Sequence, residues 1–172
     1  MRFRAANTGD LAFVRALAQR TENGFYLTDE DDAALTRYMA DPTARLLIWH
    51  DEVRRGFALF CDVGLPGHVV ELRRLCLDQP GRGEWARFVQ ALADLAFEDF
   101  GASRLWLDCS AQNLRAQRVY LREGFTLEGR LRGHDYFAMF DRYDDALLYG
   151  MLRDEWLGLA RRSGLAAPRP DA

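Results

Sequence analysis

The chain has 172 residues, 49% of them apolar and 28% charged, enough for one domain that buries a core without disulfides or metal. Its net charge of −3 argues against a broadly basic nucleic-acid surface, and no apolar run reaches membrane-spanning length. Cys61, Cys76 and Cys109 are odd in number, widely spaced and set in apolar segments. They read as reduced, buried thiols of a cytoplasmic protein. The opening "MRFRAANTGD" lacks the apolar centre of a signal peptide, and three scattered histidines are too few for most metal sites, so no metal is expected.

In chain order, "MRFRAA" is a short strand. "NTGDLAFVRALAQR" then predicts a helix with Thr8 as N-cap and Leu11, Val14, Leu17 and Ala18 on one face. "TDEDDAALTRYMAD" predicts a second helix whose acidic first turn suits the helix dipole. "RLLIWH" and "RGFALFCDV" form a hairpin, and "HVVELRRLCLD" is a longer strand. A Gly-x-Gly loop then opens a helix that runs to about Phe100, with Trp85, Phe88, Val89, Leu92, Leu95 and Ala96 on its sheet face. "SRLWLDCS" is a strand, "NLRAQRVYLREG" a helix, and "FTLEGRLRG" with "DDALLYGML" an antiparallel pair. The order β-α-α-β-β-β-α-β-α-β-β predicts an α+β fold: a mixed sheet with helices on both faces and a parallel pair in its middle β-α-β unit. Residues 1–160 read as a single domain and residues 161–172 as a flexible tail rich in small residues and proline.

Two segments carry chemistry. At "CLDQPGRGEW" the first amides of a helix lack intrahelical partners and bear partial positive charge, and Gly81 and Gly83 let a ligand approach them. With Arg82 in the same turn, this is an anion site suited to a diphosphate, or else a plain turn and helix start. Neither the P-loop nor the three-glycine dinucleotide pattern fits, since positions 85 and 86 are Trp and Ala. In "NLRAQRVYLREGF", Asn113 and Tyr120 fall on one side of a helix, about 10 Å apart along its axis. Gly124 supplies the left-handed cap and Phe125 seals it.

The ordered pair of motifs, "GRG" loop then "N-x-x-A-x-x-V-Y-x-x-x-G-F", resembles the GCN5-related N-acetyltransferase (GNAT) family. "VELRRLCLD", "GFTLEG" and "YDDALLYGMLRDEW" look more like its ribosomal-protein alanine acetyltransferase-like branch. The likeness spans about Met1 to Trp156 and is sharpest from Val69 to Gly129. It implies an α/β/α sandwich, its mostly antiparallel sheet splayed open at the parallel pair "LRRLCLD" and "RLWLDCS", with acetyl-CoA in the gap. It also implies that the main chain of Leu75, Cys76 and Leu77 pairs with the pantetheine arm. The amides of Gly81, Arg82, Gly83, Glu84 and Trp85 would hold the pyrophosphate. Asn113 would hydrogen-bond the cofactor, and Tyr120 would sit near its sulfur. Two positions depart from the family's Q/R-x-x-G-x-G/A pattern. Pro80 has no N–H, with Gln79 available in a shifted register, and the Trp85 side chain must point away from the diphosphate.

The implied activity is acetyl transfer to a primary amine, a protein N-terminus or a small amine, by direct attack in a ternary complex. The competing class is a non-catalytic acyl-CoA-binding module. Tyr120, with a reference pKa of about 10, is a suitable acid for a thiolate of about 8.5. Glu71 matches the base glutamate of histone-acetylating relatives; the other reading is a surface carboxylate paired with Arg73 or Arg74. His134 and Tyr136 are further base candidates. "TDEDDAAL", Thr28 to Leu35, would attract a cationic amine or simply start a helix, and the aromatics of "HDYFAMFDRY" would wall the acceptor pocket or pack in a core or dimer. No nucleic-acid or membrane partner is expected, and the chain would be a monomer or a homodimer.

Overall fold

The computed structural model describes residues 2–24, 26–27, 30–81, 83–137 and 140–162. Seven strands form one sheet in the order β1-β2-β3-β4-β5-β7-β6: β1 Arg2–Ala5, β2 Arg45–His50, β3 Arg54–Cys61, β4 Val69–Leu77, β5 Arg104–Ser110, β6 Thr126–Phe137 and β7 Arg142–Leu152. Every neighbouring pair is antiparallel except β4 with β5. The helices are α1 Leu11–Ala18, α2 Thr21–Gly24, α3 Asp32–Ala40, α4 Glu84–Asp94, α5 Leu114–Arg122 and α6 Arg153–Arg162.

Period-two alternation sends each strand's apolar residues to two cores. Leu46, Ile48, Phe57 and Leu59 face α1 and α3, where Leu11, Val14, Leu17 and Leu35 cover them. Leu47, Trp49, Ala58, Phe60, Val70, Leu72, Leu105 and Leu107 face the other way, under Phe88, Val89 and Leu92 of α4, Tyr120 of α5 and Trp156 of α6. Phe57, Phe60, Phe88 and Phe97 are at most 1% exposed, each contributing roughly 1.5–3 kcal/mol by burial. The α+β sandwich around a mixed sheet is therefore present as expected.

Three local readings need correction. Asn7, not Thr8, is the first N-cap: it caps a 3₁₀ turn, Thr8–Asp10, in a reciprocal box with Asp10. The helix after the Gly loop ends as an α-helix at Asp94 and continues to Asp99 as a wide π-type turn. A last helix, α6, follows β7 without a break, its Trp156 ring stacked on Phe97 at 5.3 Å. The expected tail from Ser163 to Ala172 lies outside the described residues.

Candidate active site

The sheet opens where β4 leaves β5. Their parallel register holds for three pairs only, Val69↔Arg104, Val70↔Leu105 and Glu71↔Trp106. Just beyond, β4 carries a bulge against β3: Leu59 pairs with Arg74 and Phe60 with Leu72, leaving Arg73 as the extra residue. A bulge bends its strand and sharpens the local twist, which turns the upper half of β4 away from β5. Between them lies a cavity of about 460 Å³. Leu75, Cys76, Trp85, Asn113 and Tyr120 all belong to its wall, so five of the residues singled out in the sequence converge there. Leu77 is buried in the core instead, and Gly81, Gly83 and Glu84 lie in the turn beside the cavity rather than on its wall.

In that turn Gly83 is the N-cap of α4 with a left-handed backbone, φ 74°, and no side chain caps the helix through it. Only glycine takes this conformation at no steric cost. The amides of Gly83 and Trp85 make no hydrogen bond among the described residues, whereas the Gly81 amide donates to Glu84 Oε2 at 2.9 Å. Arg82 lies outside the described residues. Free amides at a helix start, beside a strand border that stops pairing, suit a ligand with a diphosphate and an extended amide-bearing arm. Trp85 does not turn clear of this space: it is part of the wall, packed edge-on to Phe88, with the Arg115 guanidinium 5.8 Å from its ring centre.

Helix α5 sets the other wall. Asn113 is its N-cap rather than a residue inside it, and its Oδ1 accepts from the Ala116 amide at 3.1 Å. Its carbonyl oxygen is thereby committed, leaving the amide NH₂ as a donor toward the cavity. At the far end Gly124, φ 95°, closes a Schellman motif in which the Phe125 amide donates to the Tyr120 carbonyl at 2.9 Å and the Gly124 amide to the Leu121 carbonyl at 3.3 Å. This fixes Tyr120, which is 4% exposed and packed against Phe125 and Tyr149 at 5.9 and 5.6 Å. Its hydroxyl has no hydrogen-bond partner among the described residues. Burial, and then the neighbouring Cys109 and Asp108, push its pKa well above the usual phenol range. The hydroxyl therefore keeps its proton near neutral pH.

The expected bases are elsewhere. Glu71 sits in the zipped part of the strand pair and is not part of the cavity wall. It is buried, and Arg73 grips its Oε2 through Nε at 3.0 Å and Nη2 at 2.5 Å while reaching Tyr38 Oη at 3.2 Å. The ion-pair reading holds for Glu71, with the difference that the pair is mostly buried. His134 and Tyr136 are exposed and off the wall, with Tyr136 Oη donating to Asp141 at 2.9 Å.

Two wall residues were not singled out in the sequence: Asp108 on β5 and Asp135 on β6. Burial raises the pKa of each, and each is pushed further by a neighbouring aspartate, Asp108 by Asp135 and Asp135 by Asp144. The available signal was a lone acid alternating with Leu105 and Leu107 in an apolar strand. Of the acidic "TDEDDAAL" segment, Asp31 caps α3, Asp32 pairs with Arg15 and Glu30 with Arg74, while Thr28 and Asp29 lie outside the described residues. Of "HDYFAMFDRY", Asp135 and Phe137 reach the wall; Ala138 and Met139 are not described.

Among the described residues no group of His, Cys, Asp and Glu could hold a metal ion, and no helix is long and apolar enough to cross a membrane. Residues 11–125 match the family described as "Acetyltransferase (GNAT) family". Uncharacterized N-acetyltransferases of Mycobacterium bovis and Mycobacterium tuberculosis are each 32% identical over 128 residues, 73% of this chain and 80% of theirs. Among solved structures, the spermidine N-acetyltransferase of Vibrio cholerae in complex with CoA and spermine superposes with a TM-score of 0.79 at 20% identity, covering 91% of this chain and 97% of that one. A dodecameric structure of the same enzyme gives 0.76 at 19% identity, covering 92% and 97%. The chain belongs to the GNAT acetyltransferase family and is an N-acetyltransferase that takes its acetyl group from acetyl-CoA.

Proposed function

We propose that this enzyme acetylates a small cationic primary amine by direct attack, with Tyr120 as the acid and Asp108 as the proton acceptor. The single observation that carries the reading is the cavity between β4 and β5, which gathers Tyr120, Asp108 and the unpaired border of β4 in one place. Acetyl-CoA supplies the acetyl group as a thioester and leaves as the free thiol. The border of β4 at Leu75, Cys76 and Leu77 would pair with the pantetheine arm and place one amide against the developing oxyanion. Of the expected loop, Gly81, Arg82, Gly83 and Trp85 would hold the diphosphate through their amides, the Glu84 amide being spent on the Gly81 carbonyl, and Asn113 Nδ2 would donate to the arm. Tyr120 Oη gives its proton to the departing sulfur and would be reprotonated by the second proton that the attacking nitrogen loses as the amide forms.

An ammonium group must lose a proton before it attacks, and a lysine-like amine needs roughly 4–5 kcal/mol for this at pH 7. Asp108 would take that proton: it lines the cavity together with Tyr120, and burial raises its pKa, which makes it a stronger base than an ordinary carboxylate. Glu22, Asp108 and Asp135 line the cavity together with Arg73, Arg74 and Arg115, and the three acids support an acceptor that carries a further positive charge. The Vibrio cholerae enzyme whose fold this chain shares was solved with CoA and spermine, in keeping with the same acceptor class. A kinship with the ribosomal-protein alanine acetyltransferases rests on the strand and tail segments only and would call for a peptide acceptor. Cytoplasmic placement remains part of this proposal.

Thiol release from acetyl-CoA, followed across spermidine, simple monoamines and a peptide with N-terminal alanine, tests the reading. Polyamine is expected to give the highest kcat/KM. Tyr120→Phe and Asp108→Asn are each expected to lower kcat about 10²–10⁴-fold, with cofactor binding retained. Preference for the peptide would overturn the acceptor class, and full activity of both variants would overturn the roles.

A further inference from the structure

The loop that opens α4 contains an anion of its own. Glu84 is the first residue of the helix and only 8% exposed. Its Oε2 accepts from the Gly81 amide at 2.9 Å, and its amide donates to the Gly81 carbonyl at 3.2 Å. Its Oε1 is buried with no hydrogen-bond partner among the described residues. A carboxylate here is well matched to the positive end of the helix dipole and to an amide that would otherwise be unpaired. The adjoining Gly83 and Trp85 amides have no partner among the described residues. The turn thus offers a row of N–H groups of which one is already held by a buried negative charge.

We infer that Glu84 sets the affinity of this loop for its diphosphate: the carboxylate stands in for a ligand oxygen at the Gly81 amide. The inference rests on the reading that the loop holds the diphosphate of CoA. Like charges within hydrogen-bonding reach of the same amide repel, all the more in a buried turn. Glu84 must therefore rotate toward solvent for a phosphate oxygen to reach Gly81. Until then it keeps the loop folded, as a capping acid does. A cap alone and a stand-in differ in one respect: only the stand-in opposes the ligand's charge.

Glu84→Gln separates them, because glutamine keeps the shape and an acceptor oxygen for Gly81 while removing the charge. Glu84→Ala, which removes both, is the second variant. Calorimetric titration with CoA is compared with competition by S-acetylpantetheine, which has no phosphate. CoA is expected to bind Glu84→Gln about tenfold more tightly than wild type, a factor equivalent to about 1.4 kcal/mol, with pantetheine affinity unchanged. Glu84→Ala is expected to shift CoA affinity the same way with a lowered melting temperature. CoA affinity unchanged or weaker in Glu84→Gln, or equal tightening for both ligands, overturns the role of Glu84 while leaving the cofactor site intact. Folded wild type and variants that all fail to bind CoA would overturn the cofactor site and this inference together.

Discussion

Asp10 has no exposed surface and yet is kept charged. Arg4 forks onto it at 2.7 and 2.8 Å, Arg54 Nε donates at 2.8 Å and the Asn7 amide at 2.9 Å. The Arg4 hydrogen bonds, helped by Asn7 and Arg54, outweigh the cost of burial and hold its carboxyl far below the usual range. A lowered folded-state pKa means that the folded protein gives up this proton more readily than the unfolded chain. The stabilisation is therefore complete above pH of about 4 and is lost as pH falls further. Asp10→Asn is expected to cost about 2–3 kcal/mol at pH 7, less than a fully buried pair because both arginines are partly exposed. Urea midpoints should show that gap narrowing below pH 4; a gap constant with pH would refute the account. The sequence marked position 10 only as part of a helix start, because its partners Arg4 and Arg54 sit on different strands. Gly83 and Gly124 were legible for the opposite reason: turns and C-caps are local requirements, whereas the N-cap role of Asn113 was not read from the sequence. Asp108 and Asp135 were not, since a lone acid in a strand looks like a solvent-facing residue until the neighbouring strand swings away.

At the scale of elements the decisive feature is the bulge at Arg73. Leu72 and Leu75 both belong to the α4 core, with Arg73 and Arg74 between them. Strict alternation would put only one residue there. Deleting Arg73 therefore leaves the inward and outward pattern of β4 unbroken while straightening the strand. Combined with Glu71→Gln, which avoids stranding a buried carboxylate, the deletion should give a folded protein with more β4–β5 pairing. Its CoA affinity should fall at least tenfold in calorimetry. Near-wild-type affinity would mean that the bulge does not open the cleft. Strand positions were readable from alternation and turn residues, whereas the doubled arginine of "LRRLC" breaks the alternation without saying which way the strand bends. This is also why Glu71 looked better placed than it is. Helix α6 was missed because it follows β7 directly, with no turn residues to mark the join. Its anchors come from far along the chain: Trp156 Nε1 to Asp94 at 2.8 Å, and Arg153 to the carbonyls of Ala102 and Phe97 at 2.9 and 2.6 Å.

Across the whole molecule, β1 to β4 and β5 to β7 form two antiparallel blocks joined in the sheet by three residue pairs. Among the described residues, helix α4 and the anchors of α6 bind the blocks across the face of the larger core, and Ser103 ties them at one end through the Gly67 and His68 carbonyls. A ligand that spans the border binds the folded molecule alone and stabilises it by mass action. With CoA at 100 times its Kd, binding adds about 2.7 kcal/mol, and a chain of this size should melt roughly 5–10 °C higher. An unshifted melting curve at 100 times the measured Kd would refute selective binding of CoA to the folded state.

The three-pair border has a consequence for the catalytic cycle. In the proposed reaction the missing rungs of the ladder are lent by a molecule that is consumed and replaced at every turnover. The sheet is then completed on loading and left open on product release, so the protein never owns its finished architecture.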